Sequence, residues 1–206
     1  MPDAWIHLSD GTAFDYLNPR AVPIEVLARS LSRIARFAGH TREFYSVAQH
    51  SVLVSALLPR EIALYGLLHD AAEAVTCDIP SPLKSLLNEK SAGFLTDLEN
   101  AIDSAILRGF GLEPGRWHAE VKRADGLALC VEVRDLIRPS ERAIELPHGL
   151  VVVLDIPPIS RCWLPAEAEE RFLERGRALQ RPALVEVDIH EINLAVPVHV
   201  RKHAKP

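Results

Sequence analysis

Five side chains of the kinds that bind metal ions or move protons occur within apolar stretches of this chain. His69 and Asp70 directly follow an apolar run, and Glu73 comes three residues after Asp70. His50 and Asp125 occur in two other apolar segments. Because a buried carboxylate is costly unless it is paired or coordinated to a metal, these surroundings favour a partner that the side chains share. Taken singly, each residue would more often be solvated or hydrogen-bonded, so the prediction depends on the combination.

The shared partner that this combination predicts is one divalent metal ion. Two imidazoles and two carboxylates form a mixed ligand set that leaves open positions for water and substrate. Such an ion lowers the pKa of its water and offsets charge on a transferring phosphoryl group. Ligand type narrows the choice of metal without fixing it, and Mn, Co, Fe, Ni, Zn and Mg remain open.

Helices must position these residues, since apolar side chains recur at three- and four-residue spacing through the middle of the chain. The pattern predicts five helices, over about 24–39 with Gly39 as its end, and over about 46–58, 60–75, 94–109 and 117–136. Ser46 is a potential helix cap. Pro80 and Pro82 stand so close together that 78–82 is predicted to be a rigid loop.

The two ends of the chain have a different character. Trp5–Leu8, followed by Asp10 and Gly11, predicts a β-hairpin within 1–22. Beyond Pro139 the sequence predicts an extension over 140–206, in which β segments flank a helix. Those β segments are 150–154 and 183–189, and the helix is 165–179. The expected fold is therefore mainly α: one domain, with a helical core over about 24–137 and short β additions at both ends.

Composition narrows the class of protein. A chain of 206 residues and 22.8 kDa favours a single domain. The formal charge of −5 argues against a protein that grips nucleic-acid polymers through their phosphates. Three widely separated cysteines, with neither a signal peptide nor an apolar run of membrane-spanning length, predict a cytoplasmic protein without a membrane partner.

Two motifs carry a resemblance to a known family. His50, His69-Asp70 and Asp125 resemble the H…HD…D pattern of the HD-domain metal-dependent phosphohydrolases. The stretch 69–84, His-Asp-Ala-Ala-Glu-Ala-Val-Thr-Cys-Asp-Ile-Pro-Ser-Pro-Leu-Lys, is similar to the signature of the 5′-deoxynucleotidase branch of that superfamily.

Two further segments extend the resemblance. The segment 31–37, Leu-Ser-Arg-Ile-Ala-Arg-Phe, resembles the helix that supplies a phosphate-gripping arginine followed by an aromatic residue. The segment 39–42, Gly-His-Thr-Arg, is similar to a phage and bacterial subgroup that includes deoxynucleoside triphosphohydrolases. Altogether the resemblance covers about 24–137. It implies an all-α HD fold, a homodimer and a small-molecule nucleotide as substrate.

The resemblance also implies roles for individual residues. The metal ligands would be His50, His69, Asp70 and Asp125. Glu73, one helical turn after His69, would orient or deprotonate the attacking water, and Asp78 would assist proton transfer or hold the substrate.

Substrate-binding roles fall on a second group of residues. Arg36 would clamp the phosphate, with Arg33 and Lys84 as weaker candidates. As structural alternatives, the stem of Arg36 would cover apolar surface or its guanidinium would pair with Glu43. Phe37 would pack beside the base or sugar, and His40 could contact a phosphate.

The function expected from these motifs is hydrolysis of a 5′-deoxyribonucleoside monophosphate to nucleoside and phosphate. A deoxynucleoside triphosphohydrolase is the alternative. An alarmone hydrolase ranks lower, because such enzymes have an acidic residue where Ala74 follows Glu73. A regulator that binds metal or nucleotide without turnover also ranks lower, since it would have less need of Glu73 and Asp78.

Overall fold

The computed structural model describes residues 3–137 and 156–180, and these residues are mainly helical. In chain order the elements are β1 (Trp5–His7), β2 (Ala13–Asp15), α1 (Ile24–Leu31), a 3-10 turn (Arg36–Gly39), α2 (Val47–Ala56), α3 (Arg60–Leu67), α4 (Glu73–Thr76), α5 (Ser81–Lys90), α6 (Phe94–Gly109), α7 (His118–Leu136) and α8 (Pro165–Gln180).

The predicted N-terminal hairpin is confirmed. β1 and β2 pair antiparallel, with Ile6 opposite Phe14. In the turn, the Asp10 carboxylate accepts hydrogen bonds from the backbone N–H and the hydroxyl of Thr12, at 2.9 and 2.7 Å. Phe14 is fully buried in the main core, so the hairpin covers one end of the helical body.

Helix α2 is the central element of the fold. Its residues 47–55 are all buried, and α3, α7 and α8 pack against it. Ser46 caps it as predicted, because its hydroxyl accepts the backbone N–H of Gln49. The predicted helix 165–179 is confirmed as α8, which also packs against α1 and α3.

The structure corrects three predicted helix boundaries. The first helix ends at Leu31 rather than at Gly39, because residues 34–36 leave it to pair with 45–47. The predicted helix 60–75 is divided into α3 and α4 by a turn over 68–72. The loop predicted over 78–82 ends at Pro80: Pro82 lies in the first turn of α5, where a helix leaves its N–H groups unbonded.

The two β segments predicted for the C-terminal extension, 150–154 and 183–189, lie outside the described residues. Among the described helices, none is both long and apolar enough to cross a lipid bilayer.

Candidate metal centre

Two imidazole rings, from α2 and from the turn after α3, face each other. The Nε2 atoms of His50 and His69 are 3.2 Å apart. His69 Nδ1 lies 2.8 Å from the carbonyl oxygen of Gly66, which can only accept, so Nδ1 carries a hydrogen. His50 Nδ1 lies 2.6 Å from Glu132 Oε1 and donates to that carboxylate. In their neutral forms, both rings therefore present a lone pair at Nε2 toward the same point.

Two carboxylates converge on the same point. Asp70 Oδ2 lies 3.2 Å from Nε2 of His69 and 3.4 Å from Nε2 of His50. Asp125 Oδ1, from α7, lies 3.3 Å from His50 Nε2 and 3.8 Å from His69 Nε2. The other oxygen of Asp125 faces the ammonium group of Lys122 at 3.3 Å.

This donor set fits a divalent cation. The ligand atoms of His50, His69 and Asp125 all lie within 4.8 Å of one another. Asp70 stands outside this mutual set, but its contacts with both imidazoles leave it beside the same centre. When both imidazoles are neutral, the lone pairs on their Nε2 atoms repel each other because no hydrogen lies between them. A metal ion at this point removes that repulsion. Nitrogen and carboxylate oxygen together suit a transition metal.

The electrostatics favour positive charge at this point. Burial opposes protonation of His69, but the charge of Asp70 and hydrogen bonds to Asp125 and Asp70 outweigh it and raise the pKa of His69 to about 9. For Asp125, the two imidazoles likewise outweigh burial and hold its pKa far below the usual range. A cation bound here would displace the imidazole protons, so binding is expected to release protons.

A tight turn makes the convergence of His69 and Asp70 possible. Successive residues of an α-helix point about 100° apart, which separates neighbouring side chains. In the turn over 68–72, Ala71 N–H donates to the carbonyl of Leu68, a bond of 3-10 type. The backbone N–H of Ala72 donates instead to Asp103 Oδ1 of α6, at 2.9 Å.

Glu132 of α7, which the motifs of the sequence did not indicate, is fully buried against the centre. Its Oε1 accepts hydrogen bonds from His50 Nδ1 and, at 2.9 Å, from the Tyr45 hydroxyl. A signal was available, because Glu132 follows Asp125 by seven residues on one helix and interrupts the apolar pair Val131 and Val133.

Arg36 reaches the centre from the strand-like segment before α2. Its backbone N–H donates to the carbonyl of Tyr45, and a bridge joins Ala35 to Ser46. Its guanidinium lies 3.4 Å from both Asp70 Oδ2 and Glu132 Oε2. The side chain is only 12% exposed, and its buried Nε–H has no acceptor among the described residues.

Glu73 and Asp78 lie beside the centre as two further carboxylates. Glu73 begins α4 and is buried, and its Oε2 has no hydrogen-bond partner among the described residues. Burial and the charges of Asp70 and Asp78 raise the pKa of Glu73 to about 9. Burial also raises the pKa of Asp78, with Arg36 opposing it. The predicted helical register between Glu73 and His69 is wrong, because the turn interrupts the helix between them.

A cavity of about 640 Å³ opens beside these groups, within the range of small-ligand sites. His69, Asp70 and Glu73 line one end of it. Its other walls come from α5, α6 and the start of α7, and include Lys84, Glu99, Asn100, Asp103, Arg116 and Lys122.

Of the other predicted substrate-binding residues, Lys84 and Phe37 lie near the site and Arg33 does not. Lys84 lines the cavity and forms an ion pair with Glu99 at 2.9 Å. Phe37 lies beside Arg36, whose guanidinium carbon is 5.5 Å from its ring centre. Arg33 does not join the site, because it is half exposed and binds Glu169 of α8 at 2.7 Å.

His40 also stands apart from the centre. It is exposed, and its backbone N–H closes the 3-10 turn on the carbonyl of Phe37. The pairing of Arg36 with a carboxylate is observed, but it involves Asp70 and Glu132 rather than the nearby Glu43.

Comparisons with known proteins place the chain among relatives whose names carry no activity. It is 46% identical over 123 residues to the uncharacterized protein YfdR of Escherichia coli K12, a match that covers 60% of this chain and 66% of YfdR. It is 30% identical over 189 residues to the uncharacterized protein RCAP_rcc00048 of Rhodobacter capsulatus, covering 81% of this chain and 94% of that protein. No protein-family model matches. The chain belongs to the same family as RCAP_rcc00048.

Proposed function

We propose that this protein is a metal-dependent phosphohydrolase of the HD-domain superfamily that acts on a nucleotide phosphoester. The observation that carries the proposal is the convergence of two imidazole Nε2 atoms and two carboxylates on one point. Two of these residues, His69 and Asp70, also line a cavity of about 640 Å³. The residues at that point are those of the H…HD…D pattern: His50, His69, Asp70 and Asp125.

These four residues would hold one divalent ion. When bound, such an ion lowers the pKa of a water molecule and offsets charge on the phosphoryl oxygens. The assembly of the site from α2, the turn over 68–72 and α7 fixes the ligands through the packing of those elements rather than through a flexible loop.

Arg36 binds the phosphoryl group in this proposal. Its guanidinium is held beside the metal ligands by Asp70 and Glu132, and its Nε–H has no acceptor among the described residues. A guanidinium fork matches the oxygens of a phosphate and stabilises the charge that builds up on them.

Glu73 supplies the proton transfer. Its unpartnered Oε2 is a buried acceptor at the end of the cavity that the metal ligands also line. Burial and two neighbouring carboxylates raise the pKa of Glu73 to about 9, so in the metal-free protein it is protonated near neutral pH and would donate that proton to the leaving oxygen. The positive charge of a bound ion would lower this pKa and free the carboxylate to take a proton from the attacking water. Asp78, also with a raised pKa, is a second candidate for the return of the proton.

The charges of the cavity favour a substrate with one phosphate. Each lysine and arginine of the cavity lining among the described residues has a carboxylate partner: Lys84 pairs with Glu99, Lys122 with Asp125, and Arg116 with Glu113 at 4.0 Å. A triphosphate would need several free cations along the cavity, whereas a deoxynucleoside monophosphate needs only Arg36 and the metal ion. The triphosphate remains the alternative because of the segment 39–42.

A phosphate-release assay tests this proposal. The protein is stripped with chelator, reloaded with single divalent metals, and given ribo- and deoxynucleoside mono-, di- and triphosphates, with products separated by chromatography. Metal-dependent conversion of deoxymonophosphates to nucleoside and phosphate is the expected result. Release of intact triphosphate would move the activity to the alternative. Absence of turnover with every metal would refute the hydrolase.

A further inference from the structure

We propose that Glu132 is a positioning residue that sets two parts of the site at once: the tautomer of His50 and the place of Arg36. This inference rests on the proposed metal centre. Glu132 is not among the residues that line the cavity, and it acts through the two side chains that it binds, His50 and Arg36.

Glu132 determines which ring nitrogen of His50 carries the hydrogen. An ionised carboxylate has no hydrogen to donate, so the 2.6 Å contact between Glu132 Oε1 and His50 Nδ1 must be donated by the imidazole. The oxygens of Glu132 face three donors, His50 Nδ1, the Tyr45 hydroxyl and the Arg36 guanidinium, and an ionised carboxylate accepts from all of them. With its hydrogen fixed on Nδ1, neutral His50 has its lone pair on Nε2, toward Asp70, Asp125 and His69.

The two imidazoles differ in the acceptor that their Nδ1–H contacts. His69 Nδ1 donates to the backbone carbonyl of Gly66, a neutral acceptor. His50 donates to a charged carboxylate with zero exposure to solvent, and such a partner makes an imidazole a stronger metal ligand. Glu132 therefore gives one of the two nitrogen ligands its basicity as well as its orientation.

Glu132 also forms an ion pair with Arg36. Glu132 Oε2 lies 3.4 Å from one guanidinium nitrogen of Arg36, while its Oε1 is occupied by His50 and Tyr45. The 2.6 Å contact of Glu132 with His50 is shorter than its 3.4 Å contact with Arg36, so His50 is its main partner. A carboxylate that served only as the counter-ion of Arg36 would not need the contact with His50. One carboxylate thus fixes the distance between the nitrogen that binds the ion and the arginine that binds the phosphate.

The test compares Glu132→Gln, Glu132→Leu and the control Tyr45→Phe, which removes only the other donor to Oε1. Cobalt affinity is measured by competition with a chelator, and the ring nitrogen of His50 that carries the hydrogen is identified by ¹⁵N NMR of the zinc-loaded protein. Since partners of metal-binding histidines contribute roughly 10- to 100-fold to affinity, we expect about a tenfold loss for Glu132→Gln, and a larger loss with a shift of the hydrogen toward Nε2 for Glu132→Leu. Tyr45→Phe should weaken cobalt binding far less.

The outcomes separate this inference from the proposed function. If the wild-type protein binds no cobalt, the metal centre itself is wrong. If it binds cobalt and both Glu132 variants bind equally tightly with an unchanged His50 tautomer, Glu132 is not a positioning residue. Thermal unfolding of the metal-free variants checks the fold, and if Glu132→Leu fails to fold, the isosteric Glu132→Gln decides the question through its cobalt affinity.

Discussion

The hydrogen-bond partners of two ring nitrogens determine what the centre can bind. His69 Nδ1 is held by a backbone carbonyl and His50 Nδ1 by a buried carboxylate, so each Nε2 is left free to coordinate. Without these partners, either ring could carry its hydrogen on Nε2 and would face the neighbouring Asp70 as a donor instead of binding a cation. The chemistry therefore depends on atoms on the far side of each ring as much as on the ligand atoms themselves.

Replacement of Glu73 by Gln is expected to remove turnover and keep the fold. Glutamine has the shape of a protonated glutamate, the form that a pKa of about 9 favours in the buried site, but it cannot accept a proton from water. Positioned proton transfer contributes roughly 10²- to 10⁴-fold to rate, so kcat should fall within that range while nucleotide binding is retained. Steady-state kinetics and calorimetric binding of a deoxymonophosphate measure the two effects.

A matched control for this experiment lies on α5. Glu89 is exposed and pairs only with Lys90 among the described residues, so Glu89→Gln should leave kcat unchanged. Equal activity of Glu73→Gln and Glu89→Gln would remove Glu73 from the mechanism.

Asp103 gives the fold a dependence on pH. Burial raises the pKa of Asp103 to about 7, although the N–H of Ala72 opposes the shift. The folded state therefore binds a proton more tightly than the unfolded chain, and the resulting stability is complete below the ordinary pKa of 3.8 and lost as pH rises through about 7. Asp103→Asn cannot ionise and keeps an oxygen for Ala72. The excess of its melting temperature over that of wild type should be a few degrees larger at about pH 8 than at about pH 5.

Thermal unfolding with chelator present measures this difference. A constant offset between Asp103→Asn and wild type across that range of pH would contradict the raised pKa.

At the scale of elements, the site depends on close contact between α2 and α3. A Cβ added to Gly66 would lie 2.5 Å from Leu58 and 3.2 Å from the backbone of Ser55. Since the Gly66 carbonyl also holds His69, a displacement of α3 would move a metal ligand. Gly66→Ala should destabilise the protein by about 1–3 kcal/mol, as overpacking does, and weaken metal binding as well.

Gly126→Ala serves as the control in this case. It also lies within a helix, α7, but an added Cβ would meet nothing within 4 Å. Alanine is the better helix former, so the substitution should raise stability by up to about 1 kcal/mol. Similar destabilisation by both substitutions, measured by urea unfolding, would show that the contact between α2 and α3 is not the cause.

Helix periodicity was sufficient to predict α2, α6 and α7 within a few residues, since these helices keep one apolar pattern from end to end. It failed over 68–72, where Leu67, Leu68 and Ala71 continue that pattern through a turn. The turn depends on Asp103, about thirty residues further along the chain, which accepts the Ala72 N–H that no longer bonds within the helix. No local pattern encodes a contact at that separation.

The arginines illustrate the same limit. Arg33 and Arg36 are three residues apart and would share one face of the predicted helix. Because that helix ends at Leu31, Arg33 turns to Glu169 of α8 and only Arg36 reaches the centre. The ligand types could be predicted from the sequence, whereas the choice between the arginines required the tertiary structure.

At the scale of the whole molecule, the centre joins parts of the chain that are distant in sequence. The four side chains that would hold the ion come from α2, the turn over 68–72 and α7. Helix α8 packs against α1, α2 and α3 on the main core. A bound ion would cross-link these elements and stabilise the folded state by mass action. Metal binding and folding are therefore expected to depend on each other.

The measurement that tests this account most directly is the metal content of the purified protein after loading with a divalent metal and removal of excess. Wild type should retain one ion per chain. His69→Ala should retain none, while His7→Ala, which changes an exposed histidine of β1, should retain one. Undiminished metal in His69→Ala would contradict the central claim that the two imidazoles and two carboxylates form the metal centre.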